Sequence, residues 1–125
     1  MKTRRVEHPF EAAVVAARCG RERGDFGIRL ERTHGGGWVA DWAFRLPAGL
    51  GERERYGSTE LRGAISMAEA YPSCPYCRAT SIWRCGACER VSCWDGVSEQ
   101  AKCAHCGVTC KLSGTIDQLR GGADR

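Results

Sequence analysis

Cys74-Pro-Tyr-Cys77, then Cys85-Gly-Ala-Cys88-Glu-Arg-Val-Ser-Cys93-Trp-Asp-Gly96, then Cys103-Ala-His-Cys106 and Cys110 form the stretch that decides how this chain folds. In three places two thiols stand with two residues between them. That separation lets both sulfurs of one tight turn reach the same ion at about 2.3 Å. Cys93 follows the second pair and Cys110 the third, so these eight thiols make two tetrahedral sets without remainder. The spacing reproduces neither ferredoxin pattern, which favours zinc over an iron–sulfur cluster. The expected cofactor is two zinc ions, with Cys74, Cys77, Cys85, Cys88, Cys93, Cys103, Cys106 and Cys110 as ligands.

Two partitions are open. A sequential scheme gives Cys74, Cys77, Cys85 and Cys88 to one ion and Cys93, Cys103, Cys106 and Cys110 to the other. A cross-braced scheme pairs Cys74 and Cys77 with Cys93 and Cys110, and leaves Cys85, Cys88, Cys103 and Cys106 together. If Cys88 to Cys93 runs as a strand it carries Cys93 roughly 15 Å from its knuckle, which favours the cross-brace. In either scheme four thiolates leave no coordination position for water or substrate, so the sites are structural. Structural zinc contributes about 10–16 kcal/mol in small peptides, comparable to the stability of a whole domain. The cysteine-rich part is not expected to fold without it.

Working outward, the composition changes near Tyr71-Pro72, since Cys19 is the only cysteine before that point. The expected organisation is a β-rich domain over 1–71, a two-zinc domain over 72–114, and a frayed tail over 115–125. In the first part Phe26, Ile28 and Leu30 alternate with Arg29 and Glu31, and Trp38, Ala40, Trp42, Phe44 and Leu46 alternate with Val39, Asp41, Ala43 and Arg45. Between them Gly35-Gly36-Gly37 suits a tight turn, so 26–46 reads as an antiparallel hairpin with these apolar residues on its core face. Residues 10–19 satisfy both helix and strand rules; a lone hairpin is marginal in water, which favours a third strand. Residues 47–51 read as a loop, 52–55 as a solvated segment and 61–67 as a short strand. The fold class is small and β-rich, with α+β possible: an N-terminal antiparallel sheet plus a C-terminal double zinc module of zinc-ribbon or treble-clef type.

No apolar run approaches the ~20 residues that span a bilayer, and the N-terminus lacks the apolar core of a signal peptide. The expected location is cytoplasmic, where thiols hold metal more often than they form disulfides. The formal charge of +4 counts every cysteine as neutral. A zinc ion in four thiolates carries about −2, so two sites would cancel the surplus and the basicity argues weakly for nucleic acid.

Cys19, alone on a Val/Ala-rich segment, reads as a buried apolar residue. His105, inside the third knuckle, reads as a solvent-facing position. Trp83 and Trp94 flank the second knuckle and its following cysteine; they are expected to cover the metal, with Trp94 and Trp83 also the candidate anchors for a protein partner. No catalytic signature is present: there is no Gly-x-Ser-x-Gly, no phosphate-binding glycine loop and no His-Glu-x-x-His.

The run from Tyr71 to Cys77, the run Cys85 to Gly96 with its Cys-Trp-Asp-Gly, and Cys103-Ala-His-Cys-Gly107 together resemble the TerY C-terminal metal-binding domain. That family occurs in bacterial loci for tellurite resistance and for stress or phage conflict, often behind a von Willebrand A domain and beside a kinase and a phosphatase. The resemblance covers about forty residues and implies that the eight cysteines named above are the metal ligands. Two features depart from it. Only Cys106 is followed by the glycine common in such knuckles, Arg78 and Glu89 standing in the other two places, and the Asp-x-Ser-x-Ser signature of the von Willebrand domain is missing. The implied function is a non-enzymatic, zinc-stabilised adaptor of a bacterial stress-response or defence complex. Its expected partners are proteins encoded nearby, a von Willebrand A protein, kinase or phosphatase among them, and not a membrane. The alternative is a nucleic-acid-binding zinc-ribbon protein; a third reading is a cross-braced, ubiquitin-ligase-like module that assists an enzyme.

Overall fold

The computed structural model describes residues 11–123. Its strands are β1 (Ala12–Arg18), β2 (Asp25–Arg32), β3 (Trp38–Arg45), β4 (Thr59–Arg62), β5 (Ile65–Met67), β6 (Ser81–Arg84), β7 (Val91–Trp94), β8 (Gln100–Lys102), β9 (Thr109–Lys111) and β10 (Gln118–Ala123), with one helical turn, α1 (Leu50–Arg53). The chain is thus β-rich, with mainly antiparallel pairing.

β1 lies at the centre of the large sheet, antiparallel to β2 along one edge. On its other edge it meets β10 at Ala13 and Val14, and β7, running parallel, at Ala17 and Arg18. A central strand is apolar on both faces, so its sequence reads as a continuous run rather than an alternation. Val15 accordingly packs into the main core while Val14 joins a second cluster on the opposite face with Leu46 and Tyr56. The expected strand over 10–19 therefore forms, as Ala12–Arg18; Phe10 lies outside the described residues.

The hairpin of β2 and β3 forms as expected, but its faces do not. Arg29 pairs with Trp42 while Leu30 pairs with Ala40, so Asp41 is an extra residue in β3. A bulge inverts the parity of everything after it. Trp38 and Ala40 are fully buried with Phe26, Ile28 and Leu30, and after the bulge Ala43 takes the inward place. Phe44 and Leu46 move to the second cluster. Trp42, expected in the core, stands 53% exposed. Asp41 itself ion-pairs with Arg29 across the hairpin, Oδ2 to Nη1 at 2.6 Å.

Two further expectations are corrected. Residues 115–125 are not a loose tail as far as they are described: β10 is inserted between β4 and β1. Leu119 sits opposite Leu61, both fully buried. Gly121 and Gly122 permit this, because a Cβ on Gly121 would lie 2.8 Å from the Val14 carbonyl oxygen and one on Gly122 would lie 2.4 Å from that of Arg55. Nor do 1–71 and 72–114 stand apart, since β7 pairs with β1 and Cys74, Ile82 and Val91 belong to the same core as Phe26 and Trp38.

Candidate metal centres

Three turns of the structure share one hydrogen-bond pattern. The N–H of Cys74, Cys85 and Cys103 donates to the carbonyl five residues on, that of Ala79, Arg90 and Val108. The carbonyl of each cysteine accepts from the N–H four residues on, that of Arg78, Glu89 and Gly107. The residue at that fourth step must adopt positive φ, and the three values are 71°, 66° and 82°. Glycine is the easy occupant of such a position, yet Arg78 and Glu89 are held there without it.

A fourth turn repeats the pattern. The Cys19 N–H donates to the Gly24 carbonyl at 2.9 Å, the Arg23 N–H donates to the Cys19 carbonyl at 3.0 Å, and Arg23 has φ 66°. The N–H groups of Arg21 and Glu22 point at the Cys19 sulfur at 3.4 and 3.3 Å. His105 and Cys106 direct theirs in the same way at the sulfur of Cys103. Residues 19–24 are therefore a knuckle with one cysteine, Glu22 standing where the second thiol would be.

The thiols gather into two groups, each with all its sulfurs within 4.8 Å of one another: Cys19, Cys74, Cys77 and Cys93, and Cys85, Cys88, Cys103 and Cys106. The sulfurs of Cys77 and Cys93 are 3.6 Å apart and those of Cys93 and Cys19 3.8 Å. In the second group Cys85 to Cys106 is 3.8 Å and Cys88 to Cys103 is 3.6 Å. A tetrahedral ion with ~2.3 Å bonds to sulfur requires edges of about 3.8 Å, whereas a disulfide requires about 2.05 Å. All nine cysteines are free thiols, and both groups have the dimensions and donor set of a four-thiolate metal site.

Seven of the eight expected ligands are brought together. Cys93 joins Cys74 and Cys77, away from its own knuckle, and the second group is the one the cross-braced scheme assigns. Cys110, expected as the remaining ligand of the first ion, is in neither group, and Cys19, read as an inert apolar residue, takes that place. The reason is β1, whose parallel pairing with β7 sets Cys19 beside Cys93. A signal for it exists in the sequence: an apolar strand ends at Cys19 and Gly20 and Gly24 bracket the following turn, as Gly86 follows Cys85.

Strand periodicity decides which cysteine faces which centre. Cys93 pairs with Ile82 across the β6–β7 hairpin, whereas Trp83 pairs with Ser92. Ile82 and Cys93 therefore face the main core and the first centre, while Trp83 packs with Cys85 and Cys103 at the second. The Ser92 hydroxyl accepts the Ala104 N–H at 3.2 Å, and the His105 Nε2–H donates to the Val91 carbonyl at 2.8 Å. His105 is half-buried rather than solvent-facing, and burial lowers its pKa, so the imidazole is neutral and is no part of either thiol group. Trp83, only 5% exposed, is used in covering the second centre and presents no surface to a partner. Trp94 is half-buried on the same cluster, its indole N–H donating to the Ser98 carbonyl at 3.0 Å.

Proton affinities within the groups are uneven. Burial opposes the Cys85 thiolate, but the N–H groups of Cys88 and Ala87 outweigh it and bring its pKa down to about 7. Burial and the competing thiols of Cys103, Cys106 and Cys85 push Cys88 up to about 12. In the first centre burial raises Cys93 and Cys74, whereas at Cys19 the N–H groups of Glu22 and Arg21 overcome burial and lower it. Each centre thus has a thiol disposed to bind first and others whose protons the metal must displace.

Beside the second centre a cleft of about 740 Å³ runs between β1, the segment around α1, and the second knuckle. Arg18, Arg55, Arg90, Arg120, Tyr56 and His105 are among its lining residues. Arg18 is held by Asp25, Nε to Oδ1 at 2.9 Å, while Arg55 and Arg90 are exposed and form no ion pair among the described residues. No helix of the described residues is long and apolar enough to cross a membrane. No family model, curated protein or solved structure matches this chain.

Proposed function

We propose that this chain is a zinc-stabilised adaptor that binds a protein partner and performs no covalent chemistry of its own. The observation that carries the reading is the saturation of both centres by four thiolates, which leaves a bound zinc no position for water or substrate. Activity then belongs to the surfaces these centres hold rigid. The arginine-bearing cleft is the most suitable of them, because guanidinium groups bind carboxylates in a bidentate manner and Arg55 and Arg90 have no acidic partner among the described residues. The partner it fits is a protein presenting an acidic segment. By resemblance to the TerY C-terminal domain, that partner is a von Willebrand A protein, kinase or phosphatase of a bacterial stress-response or defence complex.

The test is calorimetry of the zinc-loaded chain against the products of the genes beside its own, repeated with Arg55→Ala and Arg90→Ala. Saturable binding weakened by both substitutions supports the reading. Absence of binding to every neighbour removes it. Tight, steeply salt-dependent binding to DNA or RNA that is lost with the same substitutions would instead favour the nucleic-acid alternative.

A further inference from the structure

The second centre is surrounded by one thiol more than a metal ion needs. Cys110 lies on β9 opposite Ala101 of β8, two residues before Cys103. Side chains two apart on a strand share a face, so Cys110 points to the same side of the hairpin as Cys103. Cys93 occupies the comparable strand after the second knuckle but pairs with Ile82, three residues before Cys85, and so faces away from its own knuckle. That one-residue difference turns Cys93 to the first centre and leaves Cys110 on the side of the second.

Cys110 packs against the cluster of Trp83, Cys85 and Cys103. That packing sets its thiol on the side of the second centre, beside the cluster that holds Cys85 and Cys103. In the first centre the comparable strand cysteine, Cys93, accepts the N–H of Gly20, the residue after Cys19, at 3.5 Å. Cys106, by contrast, is the one exposed cysteine of the nine.

We propose that Cys110 is an alternative ligand of the second centre, exchanging with Cys106 so that one of the two is bound and the other free. The exchange is balanced and needs no redox partner. The Cys110 thiol gives its proton to solvent and its sulfur binds the metal, while the Cys106 sulfur leaves and takes up a proton. A consequence is a metal site that can open at its solvent side without losing its ion, a suitable starting point for handing zinc to a chelating thiol.

The test uses the full chain loaded with zinc. Limited alkylation with iodoacetamide, mapped by mass spectrometry on the unaltered protein, is expected to label both Cys106 and Cys110, each molecule carrying one label and keeping both ions. Labelling confined to Cys110 would overturn the proposal. In native mass spectra Cys106→Ser and Cys110→Ser are each expected to retain two ions, while the double variant retains one. If Cys106→Ser alone loses the second ion as completely as Cys103→Ser does, Cys110 is no substitute ligand. The alkylation pattern does not depend on any variant folding, and neither measurement depends on a partner protein.

Discussion

The sulfurs of Cys19 and Cys93 lie 3.8 Å apart across a sequence separation of 74 residues. This contact ties the end of the first strand to the cysteine-rich segment, so an ion held by the first thiol group would brace the β-rich half as well.

Replacing Cys19 by Ser is therefore expected to remove one zinc ion of the two, read by native mass spectrometry. A merely buried cysteine would give up about 1 kcal/mol and no metal. Loss of a structural ion removes a contribution of order 10 kcal/mol, so the β1–β2 hairpin should lose its hydrogen-exchange protection in the same variant. Retention of both ions with unchanged affinity would return Cys19 to the role of a core residue.

Zinc affinity should fall as pH falls. Cys88, raised to about 12, and Cys93, raised by burial, keep their protons at neutral pH until the metal displaces them. Each displaced proton costs about tenfold in affinity per pH unit of acidification. Cys85, at about 7, adds its own proton below that pH, so the slope should steepen between pH 8 and 6. Chelator competition across that range reads the slope, and a curve that flattens below 7 would contradict it. In the metal-free chain the sign for Cys88 is opposite: a raised pKa stabilises the fold below the ordinary value of 9 and is lost as pH rises through about 12.

Gly24 is where the single-cysteine turn meets the first knuckle. A Cβ there would sit 2.4 Å from the Tyr76 ring, and the Tyr76 hydroxyl donates to the Asp25 carbonyl at 2.7 Å. Gly24→Ala must displace that ring, at a cost of about 1–3 kcal/mol, and should weaken zinc at the first centre while sparing the second. Cobalt substitution, with the thiolate charge-transfer bands followed during titration, distinguishes the two ions.

The bulge at Asp41 makes two tryptophans of one strand behave differently. Trp38→Ala should cost about 3–5 kcal/mol, whereas Trp42→Thr should stay within about 0.5 kcal/mol. Urea melts of the zinc-loaded chain measure both. Equal destabilisation would mean that β3 is unbulged and Trp42 is in the core.

Arg78 is exposed and holds φ 71° at the end of the first knuckle. Because an L-residue loses about 1–2 kcal/mol in that conformation, Arg78→Gly should raise the melting temperature, offset in part by the greater entropy of the unfolded glycine. A lower melting temperature would show that the arginine side chain makes a contribution of its own.

Local chemistry was readable without coordinates. Paired cysteines two residues apart suit one ion, so the three knuckles, and with them six of the eight grouped thiols, follow from spacing alone. The β2–β3 hairpin follows equally from alternation and the glycines of its turn. What needed the tertiary structure were relationships that spacing does not encode. Cys19 joins the first thiol group because β7 pairs in parallel with β1, a contact no local pattern specifies. Trp42 leaves the core because one unpaired residue, Asp41, reverses the parity of the strand after it. Residues 118–123 join the sheet although Leu119 is their only large apolar side chain, because two glycines let the backbone come close to Val14 and Arg55. Cys110 and Cys93 face different centres through a one-residue difference in register, and with a period of two that difference decides which way a thiol points. The sequence by itself determined the three paired-cysteine turns, because their geometry is local; the pairing of distant strands decided which thiols meet, Cys19 among them.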